Sequence, residues 1–301
     1  MMLEVTTYSL AGSQFGYDLL WLFIPMIIAL AIIQEMGVRM GIVSGKGLAD
    51  LIREKVGIKI TFLIMIALLA ANMGNILPEF SEIAVSSGIF GVPKFIALPV
   101  AALFVWLLVV KGNYKSVEKV FSSALYLTYI VAGYLSRPNW ALAVHDTLIP
   151  HITPSTAYIT MIIGLVGTTI APWMMFYIQS SVVEKGISLK NLKYSKLDAV
   201  FGAIVVNVVA FFIVVACAAT IHANGIQVNN VADVSKALVP LAGQYASILF
   251  AFGFLNASLF AASILPLSTA YYVCESLGFE AGVYLNALEN HQYSMGCILD
   301  L

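Results

Sequence analysis

Charge is scarce in this sequence. Its 301 residues include only 15 Lys and Arg and 16 Asp and Glu, so 10% of the chain is charged while 60% is hydrophobic. A soluble globular domain carries about 25% charged residues, so this chain cannot cover a water-facing surface. The net charge of −1 excludes a nucleic-acid partner, because no excess of basic residues is available to neutralise phosphates. The composition predicts an integral membrane protein in contact with a lipid bilayer.

Cysteine and histidine are also sparse. The three cysteines form no CxxC pair and no zinc-binding pattern with the four histidines. The long uncharged tracts contain neither His nor Asp. This excludes the Ser–His pair, the aspartate dyad and the His-Glu-x-x-His motif that an intramembrane hydrolase would need. We therefore predict neither an enzyme nor a bound cofactor.

Seven uncharged tracts divide the chain. They cover residues 19–34, 60–78, 95–110, 120–136, 152–183, 199–221 and 237–274. A helix needs about 20 apolar residues to cross a bilayer, with some latitude at its ends. The pattern predicts an all-α polytopic protein in which each tract forms one membrane-spanning segment.

The basic residues between these tracts indicate a topology. Loops 35–59, 111–119 and 184–198 carry most of the Lys and Arg, whereas the alternate segments hold only Lys94, Arg137 and Lys236. Cytoplasmic loops are enriched in Lys and Arg, so we expect the three basic loops and the C-terminus in the cytoplasm. Residue 1 would then lie outside with no preceding span. We therefore expect the chain to be a fragment that lacks a helix before it.

The fifth tract carries a break signal near its middle, where two glycines, Thr168, Thr169 and Pro172 lie close together. Proline has no N–H and clashes with the carbonyl four residues earlier, so the carbonyl of Thr168 loses its helical donor. Two arrangements fit this pattern. One is a broken helix whose carbonyls face a cation, as in transporters. The other is a kinked helix whose carbonyls are satisfied by threonine hydroxyls.

Two acids, Glu79 and Glu82, follow the second tract. A carboxylate at the bilayer centre costs at least about 2.5 kcal/mol, so membrane acids usually face a cavity or a partner. Glu79 lies about 30 Å beyond Lys59 along a helix, a distance that also fits a position at the outer membrane interface. Both acids are thus candidates for an access pathway or for interface residues.

Four stretches of the sequence carry a family signature. Residues 34–53 read QEMGVRMGIVSGKGLADLIR, residues 11–21 include AGSQFGY, residues 113–120 read NYKSVEKV, and residues 167–173 read GTTIAPW. All four resemble parts of the Nramp divalent-metal transporters (natural resistance-associated macrophage proteins). Residues 34–53 resemble the second helix of that family and the loop after it, and residues 11–21 resemble the end of its first helix. Residues 113–120 resemble its fourth-to-fifth-helix loop, and residues 167–173 resemble its unwound sixth helix. The resemblance covers residues 5–283.

This resemblance implies a leucine-transporter-like fold, in which two inverted five-helix repeats hold an ion at broken helices 1 and 6. The chain would supply the end of helix 1 through helix 8. It would form a single transmembrane domain over residues 1–283, with a polar, divergent tail over 284–301. The resemblance also implies a multi-pass protein of a prokaryotic plasma membrane. Its partners would be the bilayer and divalent metal ions, and its oligomeric state stays open.

A metal site is implied as well. The family's helix-1 motif Asp-Pro-Gly-Asn would fall on residues 1–4, where it is absent, so the carboxylate ligand is missing from this chain. The remaining implied ligands are the backbone carbonyls of Thr168 and Ala171. The hydroxyl of Thr169 would support them, and Trp173 would form a wall of the cavity.

Helix 6 departs from the family in a way that bears on selectivity. The usual Met-Pro-His becomes Ala-Pro-Trp at residues 171–173. A thioether suits soft transition metals, whereas an oxygen-only site with more room suits Mg²⁺, which keeps several of its waters. Mg²⁺ or Mn²⁺ is therefore favoured over softer metals, as in the Nramp-related magnesium transporters. In helix 3, residues 75–78 replace the family's Asp-Leu-Ala-Glu, so Glu79 and Glu82 are assigned only to the access path.

The expected function is transport of divalent metal cations by alternating access around the broken helices. Two alternatives stay open. One is transport of another small solute, such as an amino acid or a monovalent cation, on the same fold. The other is an inactive truncated copy.

Overall fold

The computed structural model describes residues 5–111, 128–226, 228 and 243–279, and every regular element within them is helical. The α-helices are α1 (Val5–Phe15), α2 (Phe23–Ser44), α3 (Leu48–Val56), α4 (Ile58–Ile89), α5 (Lys94–Lys111), α6 (Trp140–Leu148), α7 (Thr156–Thr169), α8 (Pro172–Glu184), α9 (Leu192–Thr220) and α10 (Gly243–Leu277). Residues 128–135 are also helical.

Five helical stretches among these residues are long and apolar enough to cross a membrane. They are Leu20–Ser44, Ile58–Gly88, Thr156–Glu184, Leu189–Asn224 and Ala251–Leu277, and a shorter apolar helix covers Lys94–Val109. Together they fall on six of the seven predicted tracts. This confirms the all-α polytopic class. The tract 120–136 is described only from residue 128, and the predicted tail 284–301, the motif at 113–120 and residues 1–4 lie outside the described residues.

Helix α4 is longer than its uncharged tract. It begins at Ile58 and continues to Ile89, so that Glu79 and Glu82 lie within the helix instead of beyond it. Both acids are buried, and Ser258 of α10 donates a hydrogen bond to Glu82. A carboxylate with a polar partner does not have to leave the helix for water, which is why the charge pattern placed this boundary too early.

The chain divides into two compact units. Unit one contains residues 1–28, 78–170 and 204–262, and unit two contains residues 29–77, 171–203 and 263–301. Each unit is built from segments that are far apart in the sequence.

Unit one has a large apolar core. Tyr8, Leu20, Phe23, Tyr158 and Ile213 belong to it and are almost fully buried. Helix α1 approaches α9 closely in this core, because Gly12 lies directly against the backbone carbonyl of Val214. A side chain at this position would collide with backbone, which explains the glycine there.

Unit two has a separate core that brings α3, α4, α8 and α10 together. It contains Ala49 of α3, Met65 and Leu68 of α4, Phe176 of α8 and Tyr272 of α10. The rings of Phe176 and Tyr272 meet edge to face, with centroids 5.9 Å apart. This contact fixes α8 along α10.

Candidate functional site

The fifth tract is a broken helix and not a kinked one. Helix α7 ends at Thr169, and α8 begins at Pro172. Between them, Ile170 has φ −120° and ψ 62°, and Ala171 is extended with φ −77° and ψ 138°. Pro172 occupies the first position of α8, where its missing N–H costs no helical hydrogen bond. Of the two arrangements that the sequence left open, the structure adopts the break.

The two carbonyls assigned to the cation differ in their surroundings. The carbonyl of Thr168 would be paired in a continuous helix with the N–H of residue 172, which proline lacks. The carbonyl of Ala171 accepts the N–H of Met174 at 3.1 Å and so begins the hydrogen-bonding ladder of α8. The C-terminal end of a helix carries partial negative charge, and the N-terminal end carries partial positive charge. The end of α7, with Thr168, is therefore the better place for a cation.

The hydroxyl of Thr169 anchors this end of α7. It donates to the carbonyl of Leu165 at 2.6 Å. The hydroxyl of Tyr8 lies 2.8 Å from the same oxygen, and the sulfur of Met26 lies 3.4 Å away. A threonine hydroxyl has one hydrogen, and when that hydrogen is used on Leu165, Tyr8 is the donor to Thr169. The contact ties α7 to α1 and α2 within unit one.

Thr168 is less buried and points towards α1. Its hydroxyl lies 3.4 Å from the hydroxyl of Thr7. One turn earlier in α7, Gly164 faces the methyl group of Thr7, which lies 3.6 Å from the position that a Cβ would take. Helix α1 thus runs alongside the last turns of α7, and Thr7 and Tyr8 each make a polar contact with it.

Trp173 lies at the second position of α8 and is 3% exposed. Its ring packs near Tyr177, with centroids 6.5 Å apart. Its indole Nε1 is buried and has no hydrogen-bond acceptor among the residues that the structure describes. An indole N–H is a donor only, so Trp173 can donate a hydrogen bond to an acceptor such as a carbonyl or a water oxygen.

The two acids of α4 lie inside unit one. Glu79 and Glu82 are 2% and 4% exposed, so neither is an interface residue that reaches into solvent. Ser258 of α10 lies 2.7 Å from a carboxylate oxygen of Glu82, while the contacts of Thr169 come from α1, α2 and its own helix. The acids and the threonines therefore all lie in unit one.

Sequence reasoning missed two positions that matter here. Tyr8 lies in an apolar helix and was not singled out, although it holds the end of α7. Glu275 directly follows the last uncharged tract and is 5% exposed within the final turns of α10. A single acid that directly follows a long apolar tract was the only available signal for Glu275. No group of three His, Cys, Asp or Glu side chains that could hold a metal lies among the described residues.

Comparisons with known proteins identify the family. The model of the "Natural resistance-associated macrophage protein-like" family matches residues 4–295, and the match therefore runs past residue 283. The chain belongs to the Nramp family. Its fold is that of a multi-pass membrane protein, because the match spans almost the whole chain and the described helices include five of membrane-spanning length.

Individual relatives carry the name "Divalent metal cation transporter MntH". The protein of Deinococcus radiodurans is 26% identical over 294 residues, which cover 92% of this chain and 66% of that protein. The proteins of Granulibacter bethesdensis and Aeromonas hydrophila are 24% and 27% identical over 80% of this chain, and the matches cover 57% and 61% of those proteins. The chain thus spans about three fifths to two thirds of the length of these relatives.

Solved structures share the fold. The manganese transporter of Eremococcus coleocola, in complex with an aromatic bis-isothiourea substituted compound, superposes with a TM-score of 0.67 at 20% identity, covering 94% of this chain and 64% of that one. A mutant of the same transporter gives a TM-score of 0.67 at 21% identity. At this identity the likeness establishes the leucine-transporter-like fold alone, as the sequence resemblance implied.

Proposed function

We propose that this protein transports divalent metal cations across a membrane by alternating access. The observation that carries the proposal is the broken helix at residues 170–171, in a chain that belongs to a family whose named relatives are divalent metal cation transporters. Such breaks leave backbone carbonyls for an ion at membrane depth. The cation is the substrate and binds at the residues of the break. The partners of the protein are the lipid bilayer and the divalent metal ions.

The Thr168 carbonyl is the first ligand in this proposal. It lies at the negative end of α7 and lacks a helical donor. Ala171 contributes the second lone pair of a carbonyl that already accepts Met174, and Thr169 keeps the end of α7 in place. Trp173 bounds the cavity from α8, and Glu79 and Glu82 supply negative charge along the access path.

We infer that Mg²⁺ and Mn²⁺ are preferred over softer metals. Ala171 offers no sulfur, and the carbonyls at the break are hard oxygen ligands. Mg²⁺ retains waters and needs room for them, which the small alanine side chain leaves. The inference depends on residue 171 facing the ion, and a substitution there tests it.

Replacing Ala171 by Met should shift selectivity towards soft ions. The added thioether favours Cd²⁺, while its volume displaces water from Mg²⁺, so the ratio of Cd²⁺ to Mg²⁺ competition against Mn²⁺ uptake in liposomes should rise about tenfold. Ala141→Met, at an exposed position of α6, is the control, because it adds the same methionine side chain away from the break. Identical competition profiles for Ala171→Met and wild type would remove the basis for the magnesium preference.

Uptake by the wild-type protein separates metal transport from the alternative on the same fold. A metal transporter takes up Mn²⁺ in proteoliposomes and is inhibited by Mg²⁺. A transporter of amino acids or monovalent cations shows no saturable Mn²⁺ uptake under the same conditions but takes up its own solute, whereas an inactive truncated copy takes up neither. Absence of Mn²⁺ uptake would reject the proposal.

A further inference from the structure

Glu275 lies in the last turns of α10, where its carboxylate joins three segments of unit two. It is 5% exposed. One carboxylate oxygen accepts a hydrogen bond from the Ser180 hydroxyl of α8. The other oxygen accepts from the backbone N–H of Ala49, the second residue of α3, at 3.3 Å. A buried carboxylate with two donors from two other helices is a fixed junction.

The start of α3 depends on this carboxylate. The first N–H groups of a helix have no partner within the helix, and the N-cap residue Gly47 has no side chain to supply one. Glu275 fills that place from a distant part of the chain. Its carboxyl group lies so close to Gly47 that a Cβ on residue 47 would collide with all three carboxyl atoms. The backbone of Gly47 is extended, with φ −66°, so glycine is needed here for space and not for its conformation.

Helix α8 is held to the same segment by a second contact. Gln179, next to Ser180, is fully buried, and its side-chain amide donates to the carbonyl of Lys46 at 2.9 Å. The ring contact between Phe176 and Tyr272 lies one turn earlier on α8. The C-terminal half of α8 is therefore joined to α10 and to residues 46–49 by polar and apolar contacts.

We propose that Glu275 is a positioning residue for α8. Ser180 lies about two and a half turns, or about 14 Å, beyond Ala171 along this helix. A helix moves as a rigid rod over that length, so the hydrogen bonds at Ser180 fix where the other end of α8, with Ala171 and Trp173, is held. The junction also fixes the start of α3, and one carboxylate thus sets the positions of both helices. The link to Ala171 depends on the proposed cation site, whereas the junction itself does not.

Amide hydrogen exchange tests the junction without any metal. In Glu275→Ala, exchange at Ala49 and along residues 46–51 should accelerate about tenfold, because the N–H loses its acceptor. Ser180→Ala should accelerate exchange in α8 and affect α3 less. In Glu275→Gln, the exchange rates should stay near those of wild type. The amide oxygen of the glutamine accepts from the N–H of Ala49, and its NH₂ donates to the hydroxyl of Ser180. The hydrogen of that hydroxyl can turn to the carbonyl of Phe176, 2.9 Å away. Ser181→Ala is the matched control on α8.

Mn²⁺ uptake then tests positioning. Glu275→Ala should raise the KM for Mn²⁺ about three- to tenfold and leave the maximal rate per folded molecule within about twofold, and Glu275→Gln should restore KM. A merely structural loss would lower the amount of folded protein without moving KM. Unchanged exchange at 46–51 in Glu275→Ala, or an unchanged KM in a transporter whose exchange has accelerated, would overturn the proposal. Absence of Mn²⁺ uptake in wild type would instead reject the proposed function, and exchange alone would then decide whether the junction exists.

Discussion

The hydroxyl of Thr169 has one hydrogen but three close neighbours, namely Leu165, Tyr8 and Met26. The way in which this hydrogen is used determines which hydrogen bonds hold the end of α7. Its own hydrogen goes to Leu165 at 2.6 Å, so the tyrosine hydroxyl at 2.8 Å is the donor in the pair with Tyr8. Hydrogen bonds from a threonine to the carbonyl four residues earlier are common in helices and tend to bend them. Here the bond secures the last turn before the break. The side chain therefore serves the position of the carbonyls and does not itself need to face the ion.

A double-mutant cycle measures this contact. Tyr8→Phe and Thr169→Val each remove one hydroxyl, and the thermal stability of the purified protein should show a coupling free energy of about 0.5–1.5 kcal/mol between them. Thr168→Val is the control, because its hydroxyl lies 3.4 Å from Thr7 and not beside Tyr8. Its coupling to Tyr8→Phe should stay below about 0.5 kcal/mol. Strict additivity of the Tyr8 and Thr169 changes would show that the two hydroxyls do not interact.

At the scale of helices, the break between α7 and α8 could be predicted from the sequence, whereas the side-chain contacts that hold the end of α7 could not. Pro172 and the glycines and threonines before it act within one or two turns of chain, so the sequence pattern located the break. The contacts of Thr169 with Tyr8 of α1 and Met26 of α2 join residues that are far apart in the sequence, and no local pattern contains them. The same holds for Glu275, whose partners Ala49 and Ser180 are distant in sequence. The end of α4 was misplaced because burial and a partner allow an acid to stay inside an apolar helix.

Close approach of α1 to α9 is a testable property of these two helices. Gly12→Ala places a methyl group against the carbonyl of Val214, and Cys217 leaves little room beside it. The collision is with backbone and should destabilise the protein by about 1–3 kcal/mol, which thermal unfolding in detergent measures. Gly74→Ala is the control, because nothing among the described residues lies within 4 Å of a Cβ there. Since alanine is the better helix former, the control should be neutral or stabilising, and equal losses at both positions would refute the packing argument.

At the scale of the whole molecule, charge predicts the topology. Lys185, Lys190 and Lys193 are exposed around the loop between α8 and α9, and Lys196 pairs with Glu35 at 2.5 Å. Basic loops of this kind stay in the cytoplasm. The segment between α6 and α7, which follows the single Arg137, should lie on the opposite side. The positions of the two loops in a membrane are a prediction that labelling can decide.

Introduced cysteines test this orientation. Ser188→Cys should react with a membrane-impermeant thiol reagent only after cells are permeabilised, because its charge predicts that the basic loop lies inside. Thr153→Cys, on an exposed residue between α6 and α7, should react in intact cells. Labelling of the parent chain, which retains its own cysteines, is subtracted from both. The reverse pattern would invert the topology and place the C-terminus outside.

The position of the bound ion is the most direct test of the central claim. Crystals of the protein grown with Mn²⁺ and measured at the manganese absorption edge should show one anomalous peak at the end of α7, about 2.0–2.6 Å from the backbone carbonyl oxygen of Thr168. A second carbonyl contact to Ala171 would assign that residue as a ligand as well. A peak elsewhere in the membrane-spanning helices, with water alone at Thr168, would contradict the account.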